Sequence, residues 1–119
     1  MRIAIVGVGD YGSRLAARLI TSGEDVTLIA RGQTLERLRT EGLTALPGPD
    51  EPELHIPQVN ATNDAAAVGP VDLVLMCVKL YQLNEAMEAA SPLVGKDTSV
   101  LGLQNCRTSA KMGHFWTEN

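Results

Sequence analysis

The sequence predicts an α/β fold, an open and mainly parallel sheet with helices on both of its faces. Three observations carry this. Short β-branched apolar runs alternate with stretches whose apolar residues recur at three and four, the alternation that gives parallel strands joined by right-handed crossovers. The first of these runs, Arg2-Ile-Ala-Ile-Val6, is apolar after Arg2 without a polar alternation, as strands buried on both faces are. The first run ends in a glycine-rich turn that opens a helix, Gly7-Val-Gly-Asp-Tyr-Gly12.

Taken in order, Arg2-Ile-Ala-Ile-Val6 is a strand ended by Gly7. From Tyr11 to Ser22 the pairs Leu15/Leu19 and Ala16/Ile20 fall at intervals of four and form one helical stripe, which Gly23 ends. Asp25–Ala30 is a second strand, and Leu35 and Leu38 mark a short helix that stops at Gly42. Residues 43–62 break this rhythm with four prolines and an acidic turn, and read as an irregular hairpin between Leu43–Leu46 and Leu54–Val59. Thr62 then fronts a helix of one or two turns, stopped by Gly69-Pro70. Val71–Val78 is a strand, and Leu80, Leu83, Met87 and Ala90 set the face of a helix closed by Ser91-Pro92. Thr98–Leu103 is the last strand. Residues 106–119 change character, with no clear period and with His114, Phe115 and Trp116 close together. The expected organisation is a domain over residues 1–105 and an atypical tail over 106–119.

Composition excludes several classes of function. At 119 residues the chain holds one domain, and with 3% aromatic residues its core is filled by aliphatic side chains and alanine. A net charge of −4 offers no basic excess for a phosphate backbone, so no nucleic-acid partner is expected. The longest apolar run, Leu73–Val78, is far short of the roughly twenty residues that span a bilayer, so no membrane partner is expected either. Met1-Arg2 leads straight into the first strand, too abruptly for a secretory leader. Cys77 and Cys106 form no CxxC pair or disulfide framework, which fits a reducing cytoplasm. His55 and His114 have no partners at metal-ligand spacing, and no histidine is placed to activate Cys106; neither a metal site nor a catalytic residue is assigned.

The chemistry lies in the glycine turn. In a strand-turn-helix context the first glycine permits the tight turn, the second lets backbone approach a pyrophosphate, and the third lets helix and strand pack closely. The helix N-terminus then presents N–H groups and a positive dipole end to the anion. This is a Rossmann-type dinucleotide site with Gly7, Val8, Gly9, Asp10, Tyr11 and Gly12 as cofactor-binding positions, Asp10 and Tyr11 acting through backbone and packing. At the end of the second strand, where an acid would take the ribose 2′-hydroxyl of NAD, the chain has Arg31, 24 residues after Gly7, and no carboxylate. A guanidinium grips a 2′-phosphate through paired hydrogen bonds, so NADP(H) is the expected cofactor. A methyltransferase on the same fold would need an acid there. Lys79 and Asn105 follow later strands at the carboxyl edge where such sheets bind ligands. Lys79 offers a cation to the ribose or phosphate region, and Asn105 offers hydrogen bonds near the nicotinamide.

Together these residues resemble the N-terminal domain of ketopantoate reductase (2-dehydropantoate 2-reductase). The likeness is carried by Arg2–Ser13, Gly23–Gly32, Gly69–Lys79 and Leu103-Gln-Asn105, in that order over about residues 1 to 105. It implies NADPH-dependent reduction of 2-dehydropantoate to pantoate, on the route to pantothenate and coenzyme A. It also implies that residues 7–12 and Arg31 hold the cofactor, that Lys79 contacts it, and that Asn105 lies near nicotinamide and substrate. Two departures stand out: Cys106 replaces the family's glycine after Leu-Gln-Asn, and the C-terminal helical domain that carries the family's catalytic lysine has no counterpart. The chain is therefore expected to bind cofactor without turnover, and to meet its 2-keto acid substrate only if the full enzyme is reconstituted. The competing expectation is a stand-alone NADP(H)-binding sensor or regulatory module. An open sheet edge, with Phe115 and Trp116 nearby in sequence, suggests a homo-oligomer.

Overall fold

The computed structural model describes residues 1–45 and 52–102. Its elements in chain order are β1 (Arg2–Val6), α1 (Asp10–Thr21), β2 (Asp25–Ile29), α2 (Gly32–Glu41), β3 (Leu43–Ala45), β4 (Leu54–Ile56), β5 (Asn60–Thr62), α3 (Ala65–Val68), β6 (Leu73–Met76), α4 (Leu83–Ala90) and β7 (Ser99–Gly102). Single 3₁₀ turns, Leu80–Gln82 and Ser91–Leu93, flank α4.

The main sheet has the order β5-β2-β1-β6-β7, and all its pairings are parallel. β1 is central, with Ile3 opposite Val26 on one side and Leu73 on the other. The chain runs outward from β1 through β2 to β5, then crosses back to lay β6 and β7 on the opposite flank. This is a Rossmann-like α/β fold. Where the winding reverses, between β1 and β6, the outgoing connections diverge and leave a crevice beyond the strands' carboxyl ends.

Both faces of the central strands are buried, which explains the apolar runs of β1 and β6. Ile3 and Ile5 point into a core with Ala16, Ala17, Leu28 and Leu38, under α1 and α2. Ala4 and Val6 point the other way, into a core with Val74, Met76, Leu83, Met87, Ala90 and Leu93, under α3 and α4. Of the expected helix face, Leu83, Met87 and Ala90 are fully buried on α4, while Leu80 belongs to the 3₁₀ turn before it. Side-chain tethers fix the flanks: the Arg2 guanidinium donates to the carbonyls of Pro70 and Val68 at 3.1 Å each, and the backbone N–H of Arg2 donates to Asp72 Oδ2 at 2.7 Å.

The structure corrects several sequence expectations. Between the hairpin (β3 antiparallel to β4) and α3 lies a strand the sequence did not suggest, β5, which ends the sheet beside β2. The extended piece expected over Leu54–Val59 ends at Ile56 as a strand. Thr62 closes β5, and its hydroxyl accepts from the N–H of Asp64 at 3.0 Å, so the residue finishes a strand and starts the turn into α3. β6 is shorter than Val71–Val78 because the N–H of Val71 turns aside to the Leu93 carbonyl, 3.0 Å away. The helix after it opens with a 3₁₀ turn, since the N–H of Gln82 reaches back three residues to the Lys79 carbonyl at 2.9 Å. The last strand ends at Gly102. Leu103, Asn105 and the tail lie outside the described residues.

Candidate functional site

A cleft of about 650 Å³ opens at the switch point. Gly7, Val8 and Gly9 line it after β1, Ala30, Arg31 and Thr34 after β2, and Cys77, Val78 and Lys79 after β6; Gln82, Glu85 and Ala86 complete it from the 3₁₀ turn and α4. Its volume is in the range of clefts that hold a cofactor.

The three glycines of the turn occupy three different environments. Gly7 has φ +94°, and a Cβ on it would lie 2.6 Å from Val78 Cγ1, so backbone conformation and packing both demand glycine. A Cβ on Gly12 would run into the carbonyl oxygen of Gly7; this residue sits buried beneath the turn and lets α1 approach it. Gly9 is different. Its φ of −94° suits any residue, and a Cβ there would meet no atom within 4 Å. Its bareness leaves open space directly before α1. As N-cap it has no side chain to satisfy the first-turn N–H groups, which have no intrahelical acceptor. Asp10 contributes the first residue of α1. Tyr11 was expected to act through packing, yet its side chain is 59% exposed at the cleft, because Gly12 takes the place beneath the turn.

Arg31 lies at the carboxyl end of β2 as N-cap of α2, which has no acid in its first turn. The sequence showed no carboxylate at this edge. The fold brings one from the opposite wall: Arg31 Nη1 donates to Glu85 Oε1 at 2.6 Å, with both side chains largely exposed. The hydrogen bond, and then the charge, hold the Glu85 carboxyl below its ordinary range and raise the Arg31 guanidinium. Lys79 lies on the cleft three residues beyond the end of β6, and its backbone N–H donates to Gln82 Oε1 at 3.3 Å.

Cys77 follows β6, half-buried on the cleft wall and packed against the core under α1 and α2, and desolvation pushes its thiol up to about 11. It is a neutral wall group rather than a nucleophile. Thus the structure brings Gly7, Val8, Gly9, Tyr11, Arg31 and Lys79 to one cleft and puts Gly12 behind it, while Asn105 falls outside the described residues. Thr34, Gln82 and Glu85 were missed. Thr34 and Gln82 each lie three residues beyond an identified position, a spacing that one helical turn brings together. Glu85 carries no such local signal. Among the described residues no group of three or more His, Cys, Asp or Glu side chains could hold a metal ion, and no helix is long and apolar enough to cross a membrane.

Comparisons with known proteins agree with this architecture. The family model of ketopantoate reductase PanE/ApbA matches residues 3–114. A 2-dehydropantoate 2-reductase of Mesorhizobium japonicum is 35% identical over 106 residues, covering 88% of this chain and 32% of that protein. The crystal structure of 2-dehydropantoate 2-reductase from Geobacter metallireducens superposes with a TM-score of 0.81 at 33% identity, over 94% of this chain and 38% of that one. A ternary structure of D-mandelate dehydrogenase with NADH and anilino(oxo)acetate also gives 0.81, at 28% identity over 97% of this chain and 37% of that one. The chain spans about a third of the length of the curated relatives it matches. With nearly all of its residues inside the family match, the chain belongs to the ketopantoate reductase PanE/ApbA family.

Proposed function

We propose that this chain binds NADP(H) in the cleft, as the cofactor-binding part of a cytoplasmic oxidoreductase that reduces 2-dehydropantoate to pantoate. The observation that carries the reading is the unfilled space at Gly9, set before the uncapped N-terminus of α1 at the sheet's switch point. A Cβ there would meet no protein atom within 4 Å, so the backbone N–H groups before α1 are open to a ligand. A pyrophosphate fits them in charge and position. The D-mandelate dehydrogenase neighbour was solved with NADH, which supports a nicotinamide dinucleotide on this scaffold.

In this reading the first-turn N–H groups of α1 hold the pyrophosphate, Arg31 meets the adenosine 2′-phosphate, and Lys79 supplies a cation on the β6 side. When bound, the reduced nicotinamide supplies a hydride to the keto carbon of the substrate. This chain's residues bind and orient; Ala86 and Val78 contribute apolar surface that keeps water from the cofactor's flank. Asn105 remains the proposed contact to nicotinamide and substrate. No residue here is assigned as the proton donor, so we expect the 119 residues alone to bind cofactor without turnover.

Titrating the chain with NADPH and NADH, followed by nicotinamide fluorescence, tests this directly. Saturable binding with NADPH preferred is expected, with no oxidation of NADPH on adding 2-dehydropantoate. Failure to bind either dinucleotide overturns the reading, and tighter NADH binding overturns the role given to Arg31.

A further inference from the structure

Glu85 sits where its sequence position gives no reason to look. It lies on α4, 54 residues from Arg31, yet its carboxylate meets the guanidinium at the carboxyl end of β2, the edge where Rossmann sites distinguish NAD from NADP. We propose that Glu85 is a specificity-determining residue for the dinucleotide, tempering the preference for a 2′-phosphate that Arg31 alone would impose. The inference rests on the cleft being the dinucleotide site proposed above.

Three observations support it. The pair closes across the cleft from opposite walls, so a ligand group arriving at Arg31 arrives at Glu85 as well. The bond is short and charge-assisted, occupying an N–H of the guanidinium that a phosphate would use. Both groups are largely exposed, so the bridge is weak enough to open for a ligand. A dianionic 2′-phosphate must displace the carboxylate from Arg31 and remain near its negative charge. A 2′-hydroxyl bears no charge, and it can donate a hydrogen bond to that same carboxylate. Glu85 thus stands where an acid of β2 stands in an NAD site, supplied from a different element and paired with the cation of an NADP site.

The probes that isolate this position are 2′,5′-ADP and 5′-AMP, which differ by the 2′-phosphate alone. Calorimetric titration of the whole chain gives the ratio of their affinities. Glu85→Gln is expected to raise the ratio in favour of 2′,5′-ADP about threefold, the scale of an exposed ion pair, and Glu85→Lys to raise it further. Arg31→Ala is expected to lower it roughly tenfold, as loss of a charge-assisted contact does. If Arg31→Ala leaves the ratio unchanged, the placement of the 2′-phosphate is wrong and the cofactor reading falls with it. If Arg31→Ala lowers the ratio while Glu85→Gln leaves it unchanged or lowers it, the cofactor reading stands and the role of Glu85 is overturned. Glu85 is exposed at a helix surface, and unchanged circular dichroism of each variant checks that the fold is intact.

Discussion

At the scale of single residues, the glycines of the turn separate binding from stability. Gly9→Ser introduces a favoured N-cap in a backbone conformation that suits one, and its side chain enters open space. Its stability in urea is expected to equal or exceed that of the parent by a few tenths of a kcal/mol, while dinucleotide affinity falls at least about tenfold as the hydroxyl takes the place of the anion. Gly12→Ala acts on stability. Its methyl meets the backbone of Gly7, and overpacking of this kind costs about 1–3 kcal/mol. A Gly9→Ser chain that binds normally would show that the open space is not used. Cys77 yields a pH prediction. Its thiol ionises near 9.0 when unfolded and near 11 when folded, so the stability from burying it neutral is complete below pH 9 and is lost as pH rises through 11. In a Cys106→Ser background, alkylation at pH 8 is expected to be at least about tenfold slower for folded than for urea-unfolded chain, after allowing for the greater nucleophilicity of a high-pKa thiol. Equal rates would show the thiol to be solvated. The glycine turn, Arg31 and Lys79 were legible because each is fixed by its place along the chain next to a strand. Glu85 was not, because only the closing of β6 and α4 over β1 brings it to Arg31.

At the scale of elements, legibility followed the strength of the local pattern. β1, β2 and β6 sit between two helical layers; β1 and β6 were written as apolar runs and β2 as one interrupted by Thr27, and their buried residues are nearly without exposure. β5 has three residues, Asn60, Ala61 and Thr62, at the edge of the sheet, and none is fully buried. Its existence rests on backbone pairing with β2, continued by the N–H of Ala30 donating to the Thr62 carbonyl at 3.0 Å, and backbone pairing leaves no mark in side-chain sequence. The connection into β7 is a similar case. The Thr98 hydroxyl donates to the Val71 carbonyl at 2.5 Å and accepts from the N–H of Gly95 at 2.8 Å, pinning the entry of β7 to that of β6. Thr98→Val keeps the shape and removes both bonds in a partly buried setting. It is expected to cost about 1–3 kcal/mol, measured as a shift in urea midpoint, with hydrogen exchange of β7 accelerated more than that of β1. If β7 is no more labile than β1 in the variant, the threonine is not what anchors it.

At the scale of the whole molecule, β1 serves two cores at once. Ile3 and Ile5 belong to the layer under α1 and α2, and Ala4 and Val6 to the layer under α4, so neither layer can come apart without disturbing the central strand. The molecule should therefore melt in one cooperative step, although the cleft divides its carboxyl edge into a β2 side and a β6 side. A dinucleotide touching both sides binds only when both are folded, and its effect on stability is fixed by mass action. At a free concentration one hundred times Kd, NADPH adds about 2.7 kcal/mol. For a chain of this length that raises the melting temperature by roughly 10 °C. NADH at the same multiple of its own Kd is expected to give the same shift, since linkage depends on saturation and not on which groups provide the affinity. Scanning calorimetry should show one transition moving as a whole for both cofactors, and in Gly9→Ser a tenfold weaker Kd should cut the shift at the same NADPH concentration to about half, or less if the affinity loss is larger. Two transitions, with only one responding to cofactor, would mean that the layers unfold independently and that the ligand rests on one side of the cleft alone.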